Sequence, residues 1–463
     1  MVHQYKSNGY NIVMDVNSGS IHIVDEIVYD MIMLVEPLVN EGIKDADTIK
    51  AAVLHLANIP YPEEEITEAV DEVLELEKAG QLFYPDIYEH YVFDFKNRKT
   101  VVKALCLHVA HDCNLACKYC FAEEGEYHGR RALMSFEVGK KALDFLVANS
   151  ENRINLEVDF FGGEPLMNWQ VVKQLVEYGR GLEEPNHKKF RFTLTTNGIL
   201  LNDEILEFIN REMANVVLSI DGRKCVHDGM RPFRGGQGSY DIVVPKYQKV
   251  AESRGQNNYY VRGTFTHENL DFTKDVMHLA DLGFKQISVE PVVAMTGEEY
   301  AIKPEDLPGL KAEYDRLALE ILKRQKEGKA FNFFHFMIDL EGGPCVAKRL
   351  SGCGTGTEYL AVTPWGDFYP CHQFVGNEKF CMGNVNIGVI REDIRDEFKC
   401  CNVYAKDKCK KCFARFYCSG GCAANSFQFH NNINDVFEVG CELERKRVEC
   451  AIMIKVVQNM ELN

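Results

Sequence analysis

HDCNLACKYCFA, residues 111–122, sets three cysteines as C-x3-C-x2-C, at Cys113, Cys117 and Cys120. A closed zinc or iron–sulfur site takes four protein ligands. Three thiolates on a four-cornered cluster leave one metal open to another molecule. The stretch follows an apolar run, 102–109, that reads as a strand. In β/α barrels, functional residues gather where strands end. The fold therefore turns on whether later strands carry comparable polar tips.

They do. Residues 100–295 alternate strand and helix patterns, with predicted strands at 102–109, 156–161, 190–196, 215–220, 258–265 and 286–291. SFEVGKKALDFLVANS and NDEILEFINREM are examples of the helical stretches between them. Such alternation predicts an α/β fold with a parallel sheet or barrel. Six units make a partial (β/α)6 version of the eightfold TIM-like barrel. The later strands end in FFGGEPL (160–166), TLTTNG (193–198), LSIDG (218–222) and SVEPV (288–292). Together these tips would line one mouth.

The tips suit a zwitterionic nucleoside. Gly162 and Gly163 let backbone approach closely. Glu164 can accept from an ammonium group. Thr196, Asn197, Ser219 and Asp221 offer partners for ribose hydroxyls and a carboxylate, and Glu290 stands on the last tip. Arg231 or Arg234, in GMRPFRGG, could clamp the carboxylate bidentately. His108 and His111 flank the triad and read as packing or loop residues.

The net charge of -17 over 463 residues argues against nucleic-acid phosphate as the main partner. No apolar run is long enough to span a membrane, and MVHQYKSNGYNIVMDVNSGS lacks a signal-peptide core. The expected location is cytoplasmic. Seventeen cysteines there point to metal or redox chemistry rather than disulfides. Four lie between 106 and 120, one at 225, and twelve from 345 onward.

The later set holds a second pattern. CGTGTEYLAVTPWGDFYPC runs from Cys353 to Cys371, and CKKCFARFYCSGGC supplies Cys409, Cys412, Cys418 and Cys422. Cys441 follows and Cys345 precedes. Two closed four-thiolate clusters need eight ligands, and this set has eight. A pair of zinc sites is the alternative. Cys106, Cys225, Cys381, Cys400, Cys401 and Cys450 read as buried or surface thiols.

Residues 1–95 contain no cysteine. YNIVMDV and IHIVD read as two strands around an Asn/Ser/Gly turn, followed by a helix from about Asp25. DTIKAAVLHLA and PEEEITEAVDEVLELEKAG read as two more helices, and QLFYP (81–85) as a final strand. This predicts a small winged-helix-like domain over 1–95. The barrel is expected over 96–303, a connector with a long helix over 304–344, and a cysteine-rich domain over 345–463.

The triad with an aromatic before its last Cys, GGEP and SIDG resemble the radical SAM superfamily. That resemblance implies a [4Fe–4S] cluster on Cys113, Cys117 and Cys120, with S-adenosylmethionine on the open iron. It implies cleavage of that molecule to a 5′-deoxyadenosyl radical, which abstracts hydrogen from substrate. The later pattern resembles the SPASM domain of peptide- and protein-modifying members. By that resemblance Cys409, Cys412, Cys418 and Cys441 hold one auxiliary cluster, and Cys353, Cys371 and Cys422 the other. Cys345 either completes the latter or leaves an iron open to a substrate thiolate.

Three [4Fe–4S] clusters result. The N-terminal extension resembles the leader-recognition element of ribosomal-peptide maturases, and the whole chain resembles maturases of SCIFF peptides. That resemblance implies a thioether between a cysteine sulfur and a carbon, often of threonine. It also implies a Cys-rich precursor peptide and an electron donor such as ferredoxin or flavodoxin as partners. Formylglycine formation and carbon–carbon crosslinking are the alternatives.

Overall fold

The computed structural model describes residues 1–56, 60–127, 129–295, 297–340, 342 and 345–462. Ala57, the last residue of one predicted helix, and parts of the 304–344 connector lie outside them.

The N-terminal segment forms a three-stranded antiparallel sheet, β1 (Val2–Ser7), β2 (Tyr10–Asp15) and β3 (Ile21–Val24), paired in that order. Three helices follow, α1 (Glu26–Asn40), α2 (Ala46–Leu56) and α3 (Glu63–Lys78). Asp25 caps α1 by accepting from the Val28 amide at 2.9 Å. Val13, Met31, Val35, Ile49, Val53 and Val70 form a core of their own.

Two expectations fail here. β1 was not anticipated, although Asn8-Gly9, both at positive φ, is a tight-hairpin signal. Gln81–Pro85 is not a strand. Phe83 sits at φ 53°, which no ladder accommodates, and the Tyr84 amide donates to the Asp15 carboxylate instead of to a neighbouring strand.

The six predicted strands are all present: β4 (Ala104–His111), β5 (Asn155–Gly162), β6 (Lys189–Thr196), β7 (Met213–Ser219), β8 (Tyr259–Phe265) and β9 (Gln286–Pro291). They pair in sequence order, all parallel. Every residue of β4 is buried, as a strand covered on both faces requires. Ser135 and Asn202 cap the helices Phe136–Ala148 and Asp203–Glu212.

Two more parallel strands extend this sheet. β10 (Asn332–Phe333) joins β9, and β11 (Tyr359–Val362) joins β4 with Leu360 opposite Leu105. β12 (Asp367–Tyr369) returns antiparallel to β11. The cysteine-rich region therefore shares a sheet with the β/α region instead of forming a separate layer. The long helices Leu307–Lys326 and Glu438–Leu462 pack against each other beside it. No helix among the described residues is long and apolar enough to cross a membrane.

Candidate active site and cysteine centres

A register shift between His108 and Ala110 ends the regular pairing of β4 with β5 just before the triad. The GGE tip then docks on the triad loop. Gly163 N–H donates to Ala110 O at 2.8 Å, and Glu164 N–H to Asp112 O at 2.9 Å. A Cβ on Gly162 would meet Ala110 O at 2.2 Å, and one on Gly163 would meet Asp112 O at 2.1 Å. The two glycines are thus demanded by the chain's own backbone. On its other side the loop is held by Ala116 N–H to Pro232 O and Lys118 N–H to Met230 O, both 2.9 Å.

Cys113, Cys117 and Cys120 open onto one cleft of about 260 Å³ at the strand ends. Gly162, Gly163, Thr196, Asn197, Ser219, Arg231 and Glu290 line the same cleft. Glu164 and Asp221, expected beside them, do not line it. Glu164 is buried below the floor, where its carboxylate accepts from Leu166 N at 2.9 Å, Thr196 Oγ1 at 2.8 Å and Asn197 N at 2.7 Å. Burial nevertheless pushes its carboxyl up to about 7. Asp221, fully buried, accepts from Tyr119 Oη at 2.7 Å, Arg231 Nε at 3.0 Å and the Thr264 amide at 2.9 Å.

Asp221 therefore locks the aromatic residue of the triad loop and the arginine facing the cleft. The Arg231 guanidinium also lies 5.4 Å from the Tyr119 ring centroid. Arg234 has a different place. It is exposed and ties down the loop by donating to Cys113 O at 3.0 Å. Asn197 reaches back to Asn114 Oδ1 at 2.7 Å. His108 and His111 are buried side by side, 3.0 Å apart, outside the cleft.

Several cleft residues went unnoticed in the sequence. Arg262 crosses to Glu290 at 2.6 Å. His372, Gln373 and Gln428 come from the cysteine-rich region and also line the cleft, with the His372 ring 5.0 Å from that of Phe161. His372 directly follows Cys371, which is the signal that could have found it.

Without a metal, burial pushes the Cys113 thiol up to about 12 and the Cys117 thiol up to about 11, and neighbouring thiols add to both shifts. Metal binding would displace those protons. Among the described residues only His430, Asp435 and Glu438 bring three ligand atoms within 4.8 Å of one another. The cysteine sulfurs are therefore spread wider than the roughly 3.8 Å of a single tetrahedral zinc.

Cys409, Cys412, Cys418 and Cys441 converge on a second cavity. Burial pushes Cys418 well up, and the other three thiols add to the shift. Cys353 and Cys422 lie in the field of Cys371, whose buried thiol is pushed up to about 12. Cys345 is exposed at the start of the helix Val346–Ser351. Cys401, read as a bystander, is buried in the field of Cys353 and Cys422. Cys106 and Cys450 are buried, and Cys225 and Cys400 are exposed.

Residues 102–244 match the family model of a 4Fe-4S single cluster domain. The chain is 26% identical over 333 residues to a cysteine-type anaerobic sulfatase-maturating enzyme of Clostridium perfringens, covering 67% of this chain and 85% of that protein. It is 25% identical over 281 residues to the subtilosin biosynthesis protein AlbA of Bacillus subtilis, covering 60% and 56%. The solved structure of anSMEcpe with bound AdoMet superposes with a TM-score of 0.65 at 20% identity, over 78% of this chain and 95% of that one. Streptococcus suis SuiB bound to precursor peptide SuiA superposes with a TM-score of 0.53 at 15% identity, over 95% and 98%. In fold, and in the triad at its first strand end, the chain is thus similar to the radical SAM/SPASM-type peptide maturases.

Proposed function

We propose that the protein modifies a ribosomally made, cysteine-rich precursor peptide of SCIFF type by joining a cysteine sulfur to a carbon of another residue. One observation carries this reading. The cleft of the triad is lined also by His372 and Gln373, the residues that follow Cys371, and the His372 ring lies 5.6 Å from that of Phe121, the residue after Cys120. A peptide in the cleft would have a second cysteine centre close by. Hydrogen abstraction with full return of the radical needs only the first.

A [4Fe–4S] cluster with S-adenosylmethionine, bound at the triad, supplies a radical able to take a hydrogen atom from a peptide carbon. The chain's own residues would hold and orient. Arg231, anchored by Asp221, would turn its guanidinium to the carboxylate of S-adenosylmethionine. Ser219 would offer a hydroxyl to its ribose, beside Thr196 and Asn197, whose side chains are bonded to Glu164 and Asn114, while Gly162 and Gly163 keep the loop close. Glu164 acts from below by holding Thr196 and the Asn197 backbone. Phe121 and Phe161 on the cleft wall exclude water.

Cys353, Cys371 and Cys422 would hold one auxiliary cluster and Cys409, Cys412, Cys418 and Cys441 the other, three clusters in all. Thioether formation removes two hydrogens, so an electron must leave the substrate, and the auxiliary centres offer it a route. A ferredoxin or flavodoxin would be the donor for the first step. The N-terminal sheet and helices are the proposed leader-binding domain, with the precursor adding a strand at a sheet edge.

The test is mass spectrometry of a cysteine-rich peptide encoded beside this chain, after anaerobic incubation with reconstituted enzyme, S-adenosylmethionine and reductant. Loss of two hydrogens and of one alkylatable thiol is expected. Loss of two hydrogens with every thiol kept would mean a carbon–carbon crosslink. Loss of sulfur would mean formylglycine formation, the chemistry suggested by the sulfatase-maturating relative. An unchanged peptide beside abundant 5′-deoxyadenosine would overturn the substrate assignment.

A further inference from the structure

Arg415 lies between the ligand cysteines Cys412 and Cys418 and lines the cavity shared by Cys409, Cys412, Cys418 and Cys441. Only 4% of its surface is exposed. Its Nη1 donates to Lys410 O. Its Nη2 donates to Asn17 Oδ1 at 2.6 Å and to Asp86 Oδ2 at 2.9 Å. Its Nε–H has no hydrogen-bond partner. A buried, charged N–H donor left unpaired is costly, so such orphans call for an explanation.

Asn17 and Asp86 both belong to the N-terminal segment. Asn17 stands in the turn between β2 and β3, where its side-chain Nδ2 donates to Tyr84 O at 2.8 Å. Asp86 also accepts from Tyr404 Oη at 2.7 Å. His3 of β1 stacks on Phe413 with ring centroids 3.4 Å apart. The N-terminal segment thus grips the very loop that carries Cys412 and Cys418. Arg445, the other guanidinium at this cavity, lies in the field of the Cys412 thiol.

We propose that Arg415 is a positioning residue that donates Nε–H toward a sulfur of the cluster in this cavity, and that Asn17 and Asp86 hold it there. The N-terminal segment would thereby set the potential of the auxiliary centre farther from the cleft. Hydrogen bonds to cluster sulfurs and nearby positive charge both raise the reduction potential. The inference rests on reading these four cysteines as cluster ligands.

The test is an EPR-monitored redox titration of the full-length, reconstituted protein. A Cys409→Ala/Cys412→Ala variant identifies the signal that belongs to this cavity. Arg415→Gln should lower the midpoint of that signal by about 59 mV, a tenfold change for one electron. Asp86→Asn keeps an acceptor but removes a negative charge, and should move the midpoint the opposite way. A purely structural role would not yield opposite signs.

Midpoints unchanged in both variants, with iron content intact, would overturn the proposal. If Arg415→Gln loses iron, Asp86→Asn decides alone: a raised midpoint supports the proposal, and an unchanged or lowered one overturns it. A Cys409→Ala/Cys412→Ala protein that keeps all its iron would instead overturn the reading of the cavity as a cluster site.

Discussion

The loop of Cys113, Cys117 and Cys120 and the loop of Cys409, Cys412 and Cys418 use the same side chains for opposite ends. The first presents three thiols to a wide cleft and supplies no fourth. The second gathers three thiols, and the helix Glu438–Leu462 brings Cys441 to close the set. The first is held by backbone contacts to glycine tips and to Pro232. The second is held by side chains that reach in from the N-terminal segment. An open site needs a rigid rim with room beyond it, whereas a closed site needs every corner filled. In the function proposed above, that difference would separate a centre for chemistry from one for electrons.

The sharpest way to break this contrast is to remove the open centre. Replacing Cys113, Cys117 and Cys120 together by Ala should abolish 5′-deoxyadenosine formation. It should also leave about two-thirds of the iron, because clusters of four irons would remain on the other cysteines. Chromatography of the products and an iron assay would show this. Residual cleavage of S-adenosylmethionine would mean that the centres had been assigned the wrong way round.

Gly163→Ala tests the rigid rim. Its Cβ would meet the Asp112 carbonyl at 2.1 Å, a distance that backbone cannot relieve without moving the triad loop. Activity should fall roughly 100-fold, the loss expected when reacting groups are misplaced by about 1 Å. Normal turnover would show that the loop tolerates displacement. Arg231→Lys probes the cleft more gently. The lysine keeps a charge but loses the fork that serves Asp221 and the cleft together, so binding of S-adenosylmethionine should weaken about tenfold by calorimetry.

Glu164→Gln should change stability, and in a way that depends on pH. The carboxyl sits near 4.5 when unfolded and at about 7 in the native chain. The native state holds the proton more tightly, so this group's contribution is full below about pH 4.5 and is lost as pH rises through about 7. Wild-type stability measured relative to the glutamine variant should therefore decline across that window, by at most about 3 kcal/mol. Urea titrations at several pH values would show it, and a constant difference would mean that the three donors keep the carboxylate charged.

Much of this site was legible because its signals are local. Each of the six strands is an apolar run that ends in a polar or glycine-bearing tip, and strand and tip share one short stretch of sequence. The side of the backbone on which a tip residue falls was not legible. Glu164 and Thr196 both read as ligand contacts, yet only Thr196 faces the cleft, because Glu164 turns under the floor to satisfy backbone donors. The roles of Gly162 and Gly163 were read as room for a ligand, whereas the crowding comes from Ala110 and Asp112. β10 and β11 are too short to show a period, and their partners lie far away in sequence. Gln81–Pro85 shows the reverse error: an apolar run with strand composition whose backbone turns left-handed at Phe83.

The pairing of β11 with β4 has a consequence for how the chain is made. Until Val362 has emerged from the ribosome, β4 lacks its outer neighbour, and Ala104–Leu107 present unpaired backbone along a wholly buried strand. Such an edge is a template for association with other chains. A nascent or prematurely terminated product ending near residue 345 would thus be sticky at the strand that leads into the triad. The cysteine-rich end is for that reason also the cap that lets the rest of the molecule stay in solution while it waits for its iron.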